Sequence, residues 1–105
     1  EEKTEYAFVG ILSKRGRWNT AWKARICAIG ADRIEYFRLG VEQKIAPLGH
    51  ILFSRLISVN GKIAVATGKN GNEFKICTRS RTYCFQAKNS EESLLWVNKV
   101  NDIVM

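Results

Sequence analysis

Apolar and polar positions alternate with a period of two over residues 6–13, 21–29 and 33–38, the spacing of half-buried strands. In the first run Phe8, Gly10, Leu12 and the following Lys14 share one face, and Val9, Ile11 and Ser13 the other. In the second, Lys23, Arg25, Cys27 and Ile29 fall together; in the third, Ile34, Tyr36 and Arg38 do. Residues 15–20 and 30–32 read as the turns between them, with glycine and asparagine suited to tight backbone geometry. Residues 39–43 then read as a loop.

The pattern weakens afterwards. Residues 44–51 read as a poorer strand, which Pro47 confines to an edge or a bulge. Residues 52–59 read as a turn and another short strand. Asn60-Gly61 is a hairpin signal leading into a strand over 62–67. Residues 73–78 and 82–87 form a second hairpin around Arg79-Ser80-Arg81. The period then changes. Asn89 caps a helix with Glu92 three residues on, and Trp96, Val100, Ile103 and Val104 recur at helical spacing with Val97 beside them. The residues thus predict one domain over 1–105, mainly β: short antiparallel strands over about 6–87, then one helix over about 90–104, an amphipathic plug for a curved sheet. Glu1 in place of an initiator methionine points to a fragment of a longer protein or a processed start.

Composition narrows the function. The chain has 105 residues, 46% of them hydrophobic, enough for one modest core. No apolar run is long enough to span a bilayer, and the acidic, polar start is not a signal peptide. A net charge of +7 favours an anionic partner: a phospholipid headgroup, nucleic acid or an acidic protein. The three cysteines, Cys27, Cys77 and Cys84, sit in apolar runs and read as buried thiols in a reducing, cytoplasmic setting. No Cys-x-x-Cys pair exists and the one histidine, His50, is remote, so neither a metal nor another cofactor is expected. No nucleophile, base or carboxylate pair shows catalytic spacing, which argues against an enzyme. Trp22, Trp96 and most of the phenylalanines are expected in core positions, and no aromatic ladder interleaves with the basic residues on one sheet face, which argues against nucleic acid as partner.

The order of these pieces resembles the pleckstrin homology (PH) domain over nearly the whole chain. The pieces are Gly10-Ile11-Leu12-Ser13-Lys14, Trp22-Lys23-Ala24-Arg25, Ile34-Glu35-Tyr36-Phe37, Ile45-Ala46-Pro47-Leu48, Phe74-Lys75-Ile76, Tyr83-Cys84-Phe85-Gln86-Ala87 and the helix with Trp96. The resemblance implies a seven-stranded, bent antiparallel barrel or sandwich capped by the C-terminal helix. It also implies that the turns after the first, third and sixth strands surround an open end where many members bind phosphoinositides.

The members that bind 3-phosphorylated inositides carry a lysine ending strand one and a basic-x-Arg pattern in strand two, here Lys14, Lys23 and Arg25. Parity supplies the physical reason: if Leu12, Cys27 and Ile29 are core, all three cations face the inside of the barrel mouth. There lysine acts as a point charge and arginine as a two-pronged fork. Tyr36, on the face of Ile34, adds a hydroxyl. Arg15, Arg17 and Trp18 are expected at the rim that meets the membrane, with Lys44, Arg79 and Arg81 as secondary contacts. The resemblance therefore implies a membrane-recruited signalling module at the inner face of the plasma membrane. It would bind phosphatidylinositol 3,4,5-trisphosphate first and the 3,4-bisphosphate second, with the 4,5-bisphosphate as a third candidate. A protein-interaction module supporting a neighbouring signalling domain is the alternative. Ala24 stands where many members are basic, Cys27 where Phe is common, and the sixth turn is short.

Overall fold

The alternating runs become one antiparallel sheet. The computed structural model of the chain describes residues 5–18, 20–40 and 46–104. Among these, the elements are β1 (Phe8–Arg15), β2 (Trp22–Ile29), β3 (Arg33–Arg38), β4 (Gly49–Leu52), β5 (Ala64–Thr67), β6 (Glu73–Cys77), β7 (Thr82–Gln86) and α1 (Ser90–Val104). The sheet order is β4-β3-β2-β1-β7-β6-β5. β1 pairs with β2 from Phe8↔Ile29 to Arg15↔Trp22. It meets β7 only at Ser13↔Gln86 and Lys14↔Phe85. The two halves of the sheet are thus joined at one narrow seam, and Lys14 lies in it.

The inward face carries Leu12, Cys27, Ile29, Ile34, Ile51, Phe74, Ile76 and Phe85, all at most 2% exposed. Helix α1 closes this core with Trp96, Val97 and Val100. Phe8 packs edge-on to Trp96 at 4.7 Å, and Phe74 stacks on Phe85 at 5.2 Å. Gly10 explains itself here: a Cβ would lie 2.9 Å from the Trp96 ring, so the indole needs a bare backbone beneath it. Asn89 caps α1 by accepting from Glu92 N at 2.8 Å. Asn101 then ties the helix to the start of β5. Its Oδ1 accepts from Ile63 N and Ala64 N at 3.0 and 2.9 Å, and its Nδ2 donates to Ala64 O at 3.1 Å.

Several expectations shift. The fourth strand begins at Gly49, after Pro47, because proline has no N–H to give the ladder; Lys44 and Ile45 lie outside the described residues. Residues 52–59 hold a 3₁₀ turn, Phe53–Arg55, and isolated bridges in place of a strand. Asn60 and Gly61 both take positive φ, 53° and 80°, in the turn closed by Val59 and Lys62. Trp22 is not core. It lies on the outer face beside Arg15, whose guanidinium stacks 4.5 Å from the ring, because Lys23 and Arg25 take the inward parity. Cys27 is buried, but Cys77 and Cys84 alternate with Ile76 and Phe85 and so are only half-buried. Ile103 is 38% exposed, past the contact with the sheet.

Candidate functional site

Register alone assembles the first cluster. Lys14 pairs with Lys23 and Leu12 with Arg25 across β1 and β2. Cys27 pairs with Tyr36 across β2 and β3. All lie on the inward face, where β1 runs out into the basic turn. Lys14, Lys23, Arg25 and Tyr36, with Gly16 and Leu48, surround a cavity of about 160 Å³. Gly49, paired with Tyr36 at the β4 edge, makes room for the tyrosine: a Cβ there would overlap its hydroxyl.

The four side chains are not equivalent. Lys23 is exposed, whereas Lys14 is only 8% exposed. Lys14 Nζ donates to Arg15 O at 3.2 Å and sits 4.4 Å from the centre of the Tyr36 ring and 5.6 Å from that of Tyr83. Burial pulls its pKa below the ordinary 10.5, and Arg81 and Arg25 add repulsion. Arg25 is half-buried and donates from Nη1 to Ala24 O at 2.8 Å. Burial raises the Tyr36 hydroxyl, so it stays protonated and able to donate. Beneath them burial pushes the Cys27 thiol up to about 12, which leaves it an inert floor. The cavity therefore offers two ammonium groups, a guanidinium and a phenol, with no carboxylate among its lining residues.

The residues expected at the rim separate. Arg15 and Arg17 do not border the first cavity. With Arg81, Thr20, Thr82 and Cys84 they line a second one of about 240 Å³, and Gly16 is common to both. Arg79 is exposed and borders neither. Trp18 is 90% exposed, with the Arg17 guanidinium 5.6 Å from its ring. Lys44 falls outside the described residues. Leu48, Tyr83, Thr20 and Thr82 were not anticipated. Tyr83 was within reach, because it shares parity with inward Phe85. Leu48 depends on how the chain enters β4, which no periodicity reports. Among the described residues no group of three or more His, Cys, Asp or Glu is placed to hold a metal ion.

A family model, described as PH domain, matches residues 8–105. A sterol 3-beta-glucosyltransferase of Aspergillus clavatus is 27% identical over 95 residues, which cover 90% of this chain and 7% of the relative. The chain thus spans only a small part of the curated relatives it matches. The C-terminal PH domain of pleckstrin, solved in complex with D-myo-Ins(1,2,3,5,6)P5, is similar with a TM-score of 0.78 and 22% identity, covering 99% of this chain and 100% of that one. The Slm1 PH domain, solved with D-myo-inositol-4-phosphate, is similar with a TM-score of 0.76 and 13% identity, covering 96% and 97%.

Proposed function

The chain belongs to the PH domain family, and on that premise we propose that its first cavity binds the inositol phosphate headgroup of a phosphoinositide and so recruits the domain to a membrane. One observation carries the reading: Lys14, Lys23, Arg25 and Tyr36 converge on one cavity without a carboxylate among them. Phosphate recognition asks for such convergent charged donors, and the Arg25 guanidinium supplies the bidentate one. Inositol phosphates bound to similar domains support the ligand class.

Within that class the preferred lipid is phosphatidylinositol 3,4,5-trisphosphate, then the 3,4-bisphosphate, with the 4,5-bisphosphate as the competitor to be measured. The domain would act peripherally, at the cytoplasmic face of the plasma membrane. Exposed Trp18 would enter the lipid interface, and the net charge of +7 would hold the domain to anionic lipid. It would serve as a non-catalytic module of a larger protein.

A second reading, a protein-interaction module, draws on the outer face of β1. Val9 and Ile11 there are 53% and 56% exposed and pair with Ala28 and Ile26. The two readings part at Arg25→Glu. Liposome co-sedimentation across all phosphoinositides should show selective binding that Arg25→Glu abolishes, while peptide or protein capture through Val9 and Ile11 survives it. Equal binding to every anionic lipid, unchanged in the variant, would sink the headgroup pocket.

A further inference from the structure

Where the two halves of the sheet part, one strand edge is left open. β1 pairs with β2 along its whole length, from Phe8 to Arg15, but meets β7 only at Ser13 and Lys14. Beyond that point the chain after β7 keeps to the β6 side, where Ala87 N donates to Asn72 O at 2.8 Å, and then enters α1. Over residues 8–12 the edge of β1 away from β2 therefore has no strand partner among the described residues. Alternate residues of a strand aim their N–H and C=O groups to each side, so this edge keeps unpaired donors and acceptors. Gly10, which is all backbone, is only half-buried, so water reaches the strand there. The two end strands are better guarded. β4 and β5 are four residues each, and Asn101 occupies Ala64 N and O of β5. Residues 8–12, Phe-Val-Gly-Ile-Leu, carry no charge and no proline that would blunt the edge. Exposed apolar side chains flank it: Val9 and Ile11 on the outer face, and Leu95 of α1, 46% exposed. Leu95 stands one turn before Lys99 on the same helix flank, and Lys99 Nζ lies 5.5 Å from the centre of the Phe8 ring. No carboxylate lies within ion-pair distance of that ammonium among the described residues.

We propose that the open edge of β1 takes an extended peptide as an added strand, one with apolar residues at alternate positions and acidic residues between them. The proposal rests on the protein-interaction reading and names its partner; the headgroup pocket takes no part. A row of backbone donors and acceptors is complemented by another extended backbone. Parity then assigns the side chains. Every second residue of the added strand lies beside Val9 and Ile11 and is apolar. Those between turn to the α1 side, where Lys99 calls for a carboxylate. A second copy of this chain fits worse, because pairing two β1 edges brings together two domains of net charge +7.

NMR titration of the isotopically labelled domain with the capped peptide Val-Glu-Val-Glu-Val tests the edge. Saturable amide shifts are expected at Val9, Ile11 and Lys99, with slower amide exchange over residues 8–12. Lys99→Glu should weaken this peptide about fivefold and strengthen Val-Lys-Val-Lys-Val by a similar factor. Only every second N–H of an added strand faces β1. N-methylation of alternate peptide amides should therefore abolish binding in one phase and spare it in the other. Absence of saturable shifts in the wild type would overturn the proposal. Equal affinity for the glutamate and lysine peptides would do the same, as would shifts confined to Lys14, Lys23 and Arg25, which put the acid in the headgroup pocket. Binding that survives methylation in both phases would overturn the added strand yet leave the protein-interaction reading standing, as a contact of side chains alone. Concentration-dependent protection of residues 8–12 without peptide would give the edge to a second copy and overturn the peptide as its occupant.

Discussion

Replacing Lys14 with methionine should make the domain more stable and less able to bind. At 8% exposure the Lys14 side chain is largely withdrawn from water. It regains a hydrogen bond to Arg15 O at 3.2 Å and a place 4.4 Å over the Tyr36 ring, each worth about 1 kcal/mol. Withdrawing such an ion from water costs several kcal/mol after relaxation, and Arg81 and Arg25 repel it further. Methionine keeps an unbranched stem of similar length, so the packing survives. The net gain should be about 1 kcal/mol, raising the melting temperature by about 4–8 °C. The pH dependence fixes the sign. The native pKa lies below 10.5, so the unfolded chain holds the proton more tightly. The penalty is complete below the native pKa and shrinks as pH rises from it towards 10.5. The advantage of the variant should therefore be largest at neutral pH and close on the alkaline side. Binding moves the other way: losing a charged donor costs about 1.5–3 kcal/mol, or about tenfold to a hundredfold in affinity. Thermal unfolding across pH, with calorimetric titration of the soluble headgroup, measures both. A variant less stable at neutral pH, or a headgroup affinity left intact, would refute the reasoning.

Three further outcomes follow from single contacts. Asn101→Ala leaves the N–H groups of Ile63 and Ala64 without their acceptor at positions 8% and 0% exposed. It should cost about 2–4 kcal/mol in denaturant unfolding, with faster amide exchange in β5; unchanged stability would mean water replaces the amide. The Cys27 thiol is raised from 9.0 to about 12 by burial. The folded state keeps that proton, so its contribution is whole below pH 9.0 and is lost as pH climbs towards about 12, at about 1.4 kcal/mol per pH unit. Cys27→Ala should flatten that limb of the stability curve relative to the wild type, and an identical slope would dismiss the thiol. Trp18→Ala removes a side chain 90% exposed, so stability should move by less than about 0.5 kcal/mol. Vesicle retention should fall while soluble headgroup affinity holds; loss of both would put the indole inside the pocket.

What the sequence made legible was local. Strand parity is fixed by consecutive residues, so the common face of Leu12, Lys14, Lys23, Arg25 and Tyr36 followed from spacing and is matched by the register. The Asn89 cap and the Asn60-Gly61 turn are likewise set by a few neighbours. What escaped depends on elements distant in the chain. The burial of Lys14 comes from the two-residue seam with β7 and from Tyr83. The bridge of Asn101 to β5 joins residues 37 positions apart, and an asparagine late in a helix ordinarily reads as surface. Trp22 has the bulk of a core residue, but its neighbours Lys23 and Arg25 take the inward parity and require it to face outward.

The same rule bears on the basic turn. Lys14, Arg15 and Arg17 stand within four positions and read as one cluster of charge. The pleat sends Lys14 inward and Arg15 outward, and the structure places them at different cavities. Counting charges in the turn would then predict interchangeable roles, with each substitution lowering membrane affinity by a similar step. The geometry requires unequal ones. A change at Lys14 acts on the headgroup pocket and on fold stability together, because that ammonium is buried. A change at exposed Arg17 leaves the fold untouched and acts only at the lipid surface. Lys14→Met should therefore raise stability where Arg17→Ala leaves it unchanged, and the two should differ in size on binding. Equal effects from the two would return the turn to a plain patch of charge.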